Sequence, residues 1–190
     1  MSEILRELID SLYSVVNSLI FRRRVVDYII GKVLRKLLTV DEFKDREVQY
    51  CVLNEPFGHE DMKELVESEK GLEMDSEILG FTEVLNEKVI YIAFSTKMIL
   101  KYIEGINPVS AWLLIEEIAR HEAYHAKQYN YILEKGGMEA IDRLSEYLQN
   151  SDYEDNIVEQ GAWDFQFENK EQDFSRVFDK FIYPERFAGK

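Results

Sequence analysis

Asn107-Pro108 and Gly136-Gly137 bracket the longest well-marked helix that this chain can form. Asparagine is a favoured N-cap, proline is favoured at the first helical position, and paired glycines supply a C-terminal stop. The spacing predicts a helix from 107 to about Glu134, and the rest of the fold must be arranged around it. Two further helices are expected near 138–149 and 153–169, with a short one at 172–181. Upstream, Ile78 to Leu85 and Val89 to Phe94 flank Asn86-Glu87 and read as a β-hairpin. Its second strand is apolar on both faces, as a central strand covered on two sides would be. Glu47 to Leu53 alternates Val48, Tyr50 and Val52 and reads as a short strand. Pro56-Phe57-Gly58 breaks that pattern, and 60–69 resembles a charged surface helix ended by Gly71. Ser95 is placed to cap a short helix ending near Gly105.

Residues 3–39 also read as helix. Ile4, Leu5, Leu8, Leu12, Val15, Val16, Leu19 and Ile20 follow a period of 3.6, Arg22-Arg23-Arg24 interrupts it, and Val25 to Leu38 resumes it. An ordinary packed helix with a solvated basic corner explains this, as does a membrane-surface or self-associating helix. The order of elements gives an α+β class. We divide it into an N-terminal helical extension, 1–45, and a main domain, 46–190.

The bulk properties exclude several classes. With 190 residues, 46% hydrophobic and 32% charged, the chain is long and apolar enough for one domain with a real core. A formal net charge of −14 repels phosphate backbones, so no nucleic-acid partner is expected. The single cysteine, Cys51, rules out an intramolecular disulfide and a thiolate-rich zinc site. It lies in an apolar run and reads as core. One cysteine suits a reducing compartment. The N-terminus lacks a basic stretch and a small-residue cleavage site, and the run Leu12 to Phe21 is too short to span a bilayer. A cytoplasmic location without membrane insertion is therefore expected.

Within the long helix lies His121-Glu122-Ala123-Tyr124-His125. Residues at i and i+4 stand one above the other on a helix face, so two imidazoles so placed can bind one metal ion. Glu122 projects beside them and reaches the open side of such a site without being a ligand. Both histidines share a stripe with Leu114, Ile118, Tyr129 and Ile132, the face that a helix turns inward. Inward histidines need partners on both ring nitrogens, and a metal on one with an acceptor on the other would supply them. The competing explanation is a pair of core histidines bonded to tyrosine or carboxylate groups.

Any metal must then be held by imidazole and carboxylate, a donor set that suits zinc with one position left open. The third ligand has three candidates. His59 lies far upstream in a charged stretch. Glu159 lies in Val158-Glu159-Gln160-Gly161-Ala162-Trp163-Asp164-Phe165, where Gly161 and Ala162 would let its helix approach the histidine helix closely. Asp155, one turn earlier, is the fallback. Asp164 is expected to orient a histidine rather than to bind metal.

His121, Glu122 and His125, with Glu159, Ala162 and Phe165 downstream, resemble the zincin-like metallopeptidases of the gluzincin type. In that family a second helix supplies a glutamate ligand in a Glu-x-x-Ala-x-x-Phe pattern. The preceding hairpin also fits the family order, and the resemblance covers roughly residues 46–169. It implies a zinc-dependent peptidase acting on a peptide or protein substrate, with His121, His125 and Glu159 as ligands and Glu122 as general base toward the attacking water. Tyr129, Tyr131 and Tyr153 are candidates to stabilise the oxyanion, and a substrate strand could add to the open sheet edge. Two other readings remain. A zincin-shaped domain could bind metal without catalysis, although the intact Glu122 speaks against it. A di-iron carboxylate bundle shares the Glu122-x-x-His125 spacing but wants two such pairs.

Overall fold

The computed structural model describes residues 19–53, 78–149, 156–168 and 170–188. They form a mixed α+β fold in which helices pack on one face of a small sheet. In chain order the elements are α1 (Leu19–Leu37), β1 (Glu47–Leu53), β2 (Gly80–Asn86), β3 (Val89–Ser95), α2 (Thr96–Tyr102), α3 (Pro108–Gln149), α4 (Ile157–Glu168) and α5 (Phe174–Ile182), followed by a 3-10 turn at Pro184–Arg186. The expected helix at 60–69 lies outside the described residues.

The sheet has the order β1-β3-β2, with β1 parallel and β2 antiparallel to β3. β3 is thus the central strand, as its apolar run predicts, but among the described residues the helices cover the face of Ile90, Ile92 and Phe94, and Val89 and Tyr91 on the other face are only half-buried. Ile90, Ile92 and Phe94 alternate onto the helix-covered face and are buried there. Their neighbours in register are Val48, Tyr50 and Val52 on one side, and Val84, Thr82 and Gly80 on the other. Side chains directly opposite in register share a face, so Thr82 lies on the face turned toward the helices. Cys51 lies half-buried on β1, its sulfur 2.7 Å from the Tyr91 hydroxyl.

The hairpin turn falls one residue later than its sequence suggests. A register shift between Val84 and Asn86 lengthens β2, and the Asn86 side chain accepts from the Lys88 amide at 2.9 Å. Glu87 and Lys88 therefore make the turn. Such an asparagine side chain mimics a backbone turn, which moves the tip downstream.

α3 is the organising element. Asn107 Oδ1 accepts from the Ser110 amide at 3.0 Å, so the N-cap and Pro108 start the helix as expected. α3 runs on to Gln149 as two helical segments joined at a kink, where Gly137 has non-helical φ 63, ψ −164. Only glycine adopts that region at low cost. The predicted stop is present, and the 138–149 helix continues beyond the kink. α3 packs against β2, β3, α1, α4 and α5.

α1 contributes Val26, Ile29, Ile30, Val33 and Leu34 to the same buried core as Ile115 and Ile132. That spacing is the stripe of an amphipathic helix, here covered by the rest of the chain. The described part of the N-terminal region is therefore built into the common core. Its following loop is fastened to α3 just past the histidines. Lys127 pairs with Glu42 at 3.2 Å, Asn130 Nδ2 donates to the Glu42 carbonyl at 3.0 Å, and Arg46 donates to Asn130 Oδ1 at 3.2 Å. Among the described residues no helix is long and apolar enough to cross a membrane.

Candidate metal centre

Five consecutive residues of α3, Glu122 to Ala126, are buried, because β2 lies on one side of the helix and α4 on another. Ala123 and Ala126 keep the helix slim there. Tyr124 is enclosed between α3 and α4, stacked on Phe165 with ring centroids 4.5 Å apart, and its hydroxyl accepts from the Gln172 amide. Ala162 completes that small cluster. The small residues of α4 do let the two helices approach, as their spacing suggests.

α4 begins where Asn156 caps it. Asn156 Oδ1 accepts from the amides of Val158 at 2.9 Å and Glu159 at 3.2 Å. Glu159 therefore stands in the first turn, and its carboxylate points at α3. Its Oε2 lies 3.1 Å from His121 Nε2 and its Oε1 lies 3.3 Å from His125 Nε2. The two Nε2 atoms are 2.9 Å apart. One donor atom from each of the three residues lies within 4.8 Å of the others. Among the described residues this is the group of His, Cys, Asp and Glu side chains arranged to hold a metal ion.

The outer nitrogens decide whether the group fits a cation. His121 Nδ1 is 3.0 Å from Gln166 Oε1, and His125 Nδ1 is 2.9 Å from Gln128 Oε1. An amide oxygen only accepts, so with these oxygens turned to the rings each Nδ1 carries a proton and each Nε2 turns its remaining site inward. Two such nitrogens and a carboxylate converging on one point need a positive centre between them. In the metal-free protein a proton serves. Burial alone lowers the His125 pKa, but the Glu159 charge and its hydrogen bond outweigh burial and push it up to about 9. Burial likewise raises Glu159, yet the charge of His125 and the bonds to both histidines hold it well below the usual carboxylate range. A divalent metal would take the place of that proton. Two imidazoles and one carboxylate, with no thiolate, are a donor set for a divalent transition metal.

This gives a pH-dependent expectation. Metal needs the neutral imidazole, so uptake must expel the proton that His125 holds up to about 9. One expelled proton weakens apparent affinity about tenfold for each unit that the pH falls. Chelator competition at pH 6, 7 and 8 should show zinc affinity rising in steps of about that size, with proton release on binding. A flat profile would show that His125 is already neutral in the metal-free state.

Glu122 stands apart from the three ligand candidates. It is buried, and Thr82 Oγ1 of β2 donates to its Oε2 at 2.8 Å and contacts its backbone carbonyl at 3.1 Å. Burial raises its pKa against the opposing influence of His125, His121 and the Thr82 bond. Gly80, two residues before Thr82, leaves the space: a Cβ there would lie 3.0 Å from Glu122 Cγ.

The remaining site expectations divide. Tyr129 is half-buried next to the centre, its ring 6.5 Å from that of His125. Tyr131 is turned away, its hydroxyl donating to Asp179 at 3.1 Å. Asp164 is exposed and does not orient a histidine; Gln166 does. The reason is helical phase. Five residues on from Glu159 lies about 140° around the helix, whereas seven lies within about 20° of the same line. Asp155, His59 and Tyr153 lie outside the described residues. Sequence reasoning missed Gln128, Gln166, Gln172 and Thr82. Gln128 had a signal, since it continues the inward stripe of His121 and His125, where a buried amide requires partners. Thr82 had none.

Comparison of the chain with protein-family models, with curated proteins and with solved structures finds no match.

Proposed function

We propose that the chain is a zinc-dependent metallopeptidase of the zincin-like, gluzincin type, in which His121, His125 and Glu159 hold the metal and Glu122 is the general base. The observation that carries this reading is a division of labour on one helix. Three side chains converge on one point, while the glutamate between the histidines is held separately by a strand hydroxyl. A purely structural site has no use for a buried carboxylate beside its ligands. A di-iron site would need a second carboxylate-histidine group, and among the described residues one metal group is found.

When bound, the metal supplies an acidified water and polarises the scissile carbonyl. Thr82 fixes Glu122 through Oε2, which leaves Oε1 to take the water's proton and pass it to the leaving nitrogen. Burial raises the pKa of Glu122, the direction that a general base requires. Tyr129, whose ring lies beside that of His125, is the candidate to stabilise the oxyanion. Among the described residues β2 is an edge strand running beside α3, so an extended peptide added to it would lie along the site. The substrate class is therefore a peptide or an unfolded protein segment.

An unbiased peptide library read by mass spectrometry tests the proposal. The expected result is cleavage that disappears with a chelator and returns with zinc at about one ion per chain. Zinc binding at that ratio with no cleavage of any library member would favour a metal-binding domain without catalysis. Two irons per chain would favour the di-iron alternative.

A further inference from the structure

Gln128 is fully enclosed, and a buried primary amide destabilises a fold unless its oxygen and its NH2 are both bonded. Its surroundings leave it one orientation. Nε2 donates to the Val158 carbonyl at 3.0 Å and to Gln172 Oε1 at 3.2 Å, both of which only accept. Oε1 must therefore face His125 Nδ1, 2.9 Å away, and that nitrogen must carry a proton. Gln172 is oriented the same way, because its Nε2 donates to the Ile157 carbonyl at 3.1 Å. The bonds run in one direction: His125 Nδ1 to Gln128, Gln128 to Gln172, Gln172 to Ile157. Ile157 and Val158 are the first two residues of α4, and Glu159 is the third. Gly161 leaves room for both amides; a Cβ there would collide with the Gln172 carboxamide and come within 2.8 Å of Gln128 Nε2.

We propose that Gln128 and Gln172 are positioning residues, an amide relay through which the first turn of α4 sets the tautomer and ring orientation of His125. One helix supplies two ligand atoms and the other supplies the third, so their separation must be held from outside the cluster. The relay does this by tying His125 to the two residues that precede Glu159. It also fixes the histidine without adding negative charge, since both links are neutral. Bonds aligned head to tail in a dry interior polarise and strengthen one another. Gln172 is the informative member, because it acts on the metal two links away through Gln128.

The inference rests on the metal-centre reading above, and its test uses zinc affinity rather than peptide cleavage. Methionine is close to glutamine in length and removes both the donor and the acceptor. Gln128→Met is expected to weaken zinc binding by about 10- to 100-fold, the usual cost of losing an outer partner of a metal-bound histidine. Gln172→Met is expected to weaken it by about tenfold in the same range. The double variant should lose no more than Gln128→Met alone, because the second link has nothing to act through once the first is gone. Nitrogen-15 shifts of the zinc-loaded protein should show His125 protonated at Nδ1 in the parent and mixed tautomers or ring orientations in either variant. A role in general stability would lower the melting temperature without changing the ring signals. Should Gln128→Met fail to fold, the half-buried Gln172→Met decides alone. Parent zinc affinity in Gln172→Met, or additive losses in the double variant, would overturn the relay while leaving the metal centre standing. If the parent chain itself binds no zinc, the metal centre and the relay fall together.

Discussion

Glu122→Gln is expected to keep the metal and the fold and to lose about a hundred- to ten-thousand-fold in peptide hydrolysis. The substitution changes one property. Glutamine has the same size and still offers an oxygen to the Thr82 hydroxyl, which bonds Glu122 Oε2 at 2.8 Å in the parent. Gly80 and the backbone around it have no reason to move. What disappears is the basicity of a buried carboxylate whose pKa burial already raises. The ligand atoms belong to His121, His125 and Glu159, so zinc affinity should stay near that of the parent. The measurement pairs a turnover assay on a peptide found in the library with zinc titration of the same preparations. Cleavage at the parent rate would remove Glu122 from the mechanism. Loss of zinc together with activity would make Glu122 a ligand and return the di-iron arrangement to consideration.

Glu159→Ala should have the largest effect on the metal itself. Glu159 provides the only carboxylate of the three-residue group, and both of its oxygens face imidazole nitrogens, at 3.1 and 3.3 Å. Its removal leaves two neutral ligands on one helix. The loss of affinity should exceed the about 10- to 100-fold expected for an outer partner. The fold should survive, because the buried core around Ile90, Ile115 and Ile132 does not depend on this residue. The metal-free protein should nevertheless change in one respect. Without the Glu159 charge and hydrogen bond, burial will weigh more heavily against the remaining Glu122 charge and lower the pKa of His125 from about 9. Zinc titration by chelator competition, with circular dichroism as the folding control, separates these effects. Full zinc affinity in Glu159→Ala would move the third ligand to Asp155 or His59.

The sequence by itself determined whatever depends on residues close together in the chain. Asn107, Pro108 and the glycines at 136–137 mark the ends of a helix because capping and left-handed backbone act within a few residues. The i, i+4 spacing of His121 and His125 places two imidazoles on one face for the same reason. The doubly apolar run of β3 announced a central strand, and the small residues at 161 and 162 announced a close helix contact. Tertiary structure decided what each inward side chain meets. That Thr82 of a distant strand holds Glu122 follows from the register of β2 against β3, which is not written in either segment alone. The choice of Gln166 over Asp164 came from the phase of α4 against α3. The Gln128–Gln172 link needed α3, α4 and the segment leading into α5 to be brought together. Local signals survive in a sequence because backbone geometry carries them. Partners across elements do not, because a buried donor or acceptor states only that it must be satisfied, and packing chooses by what.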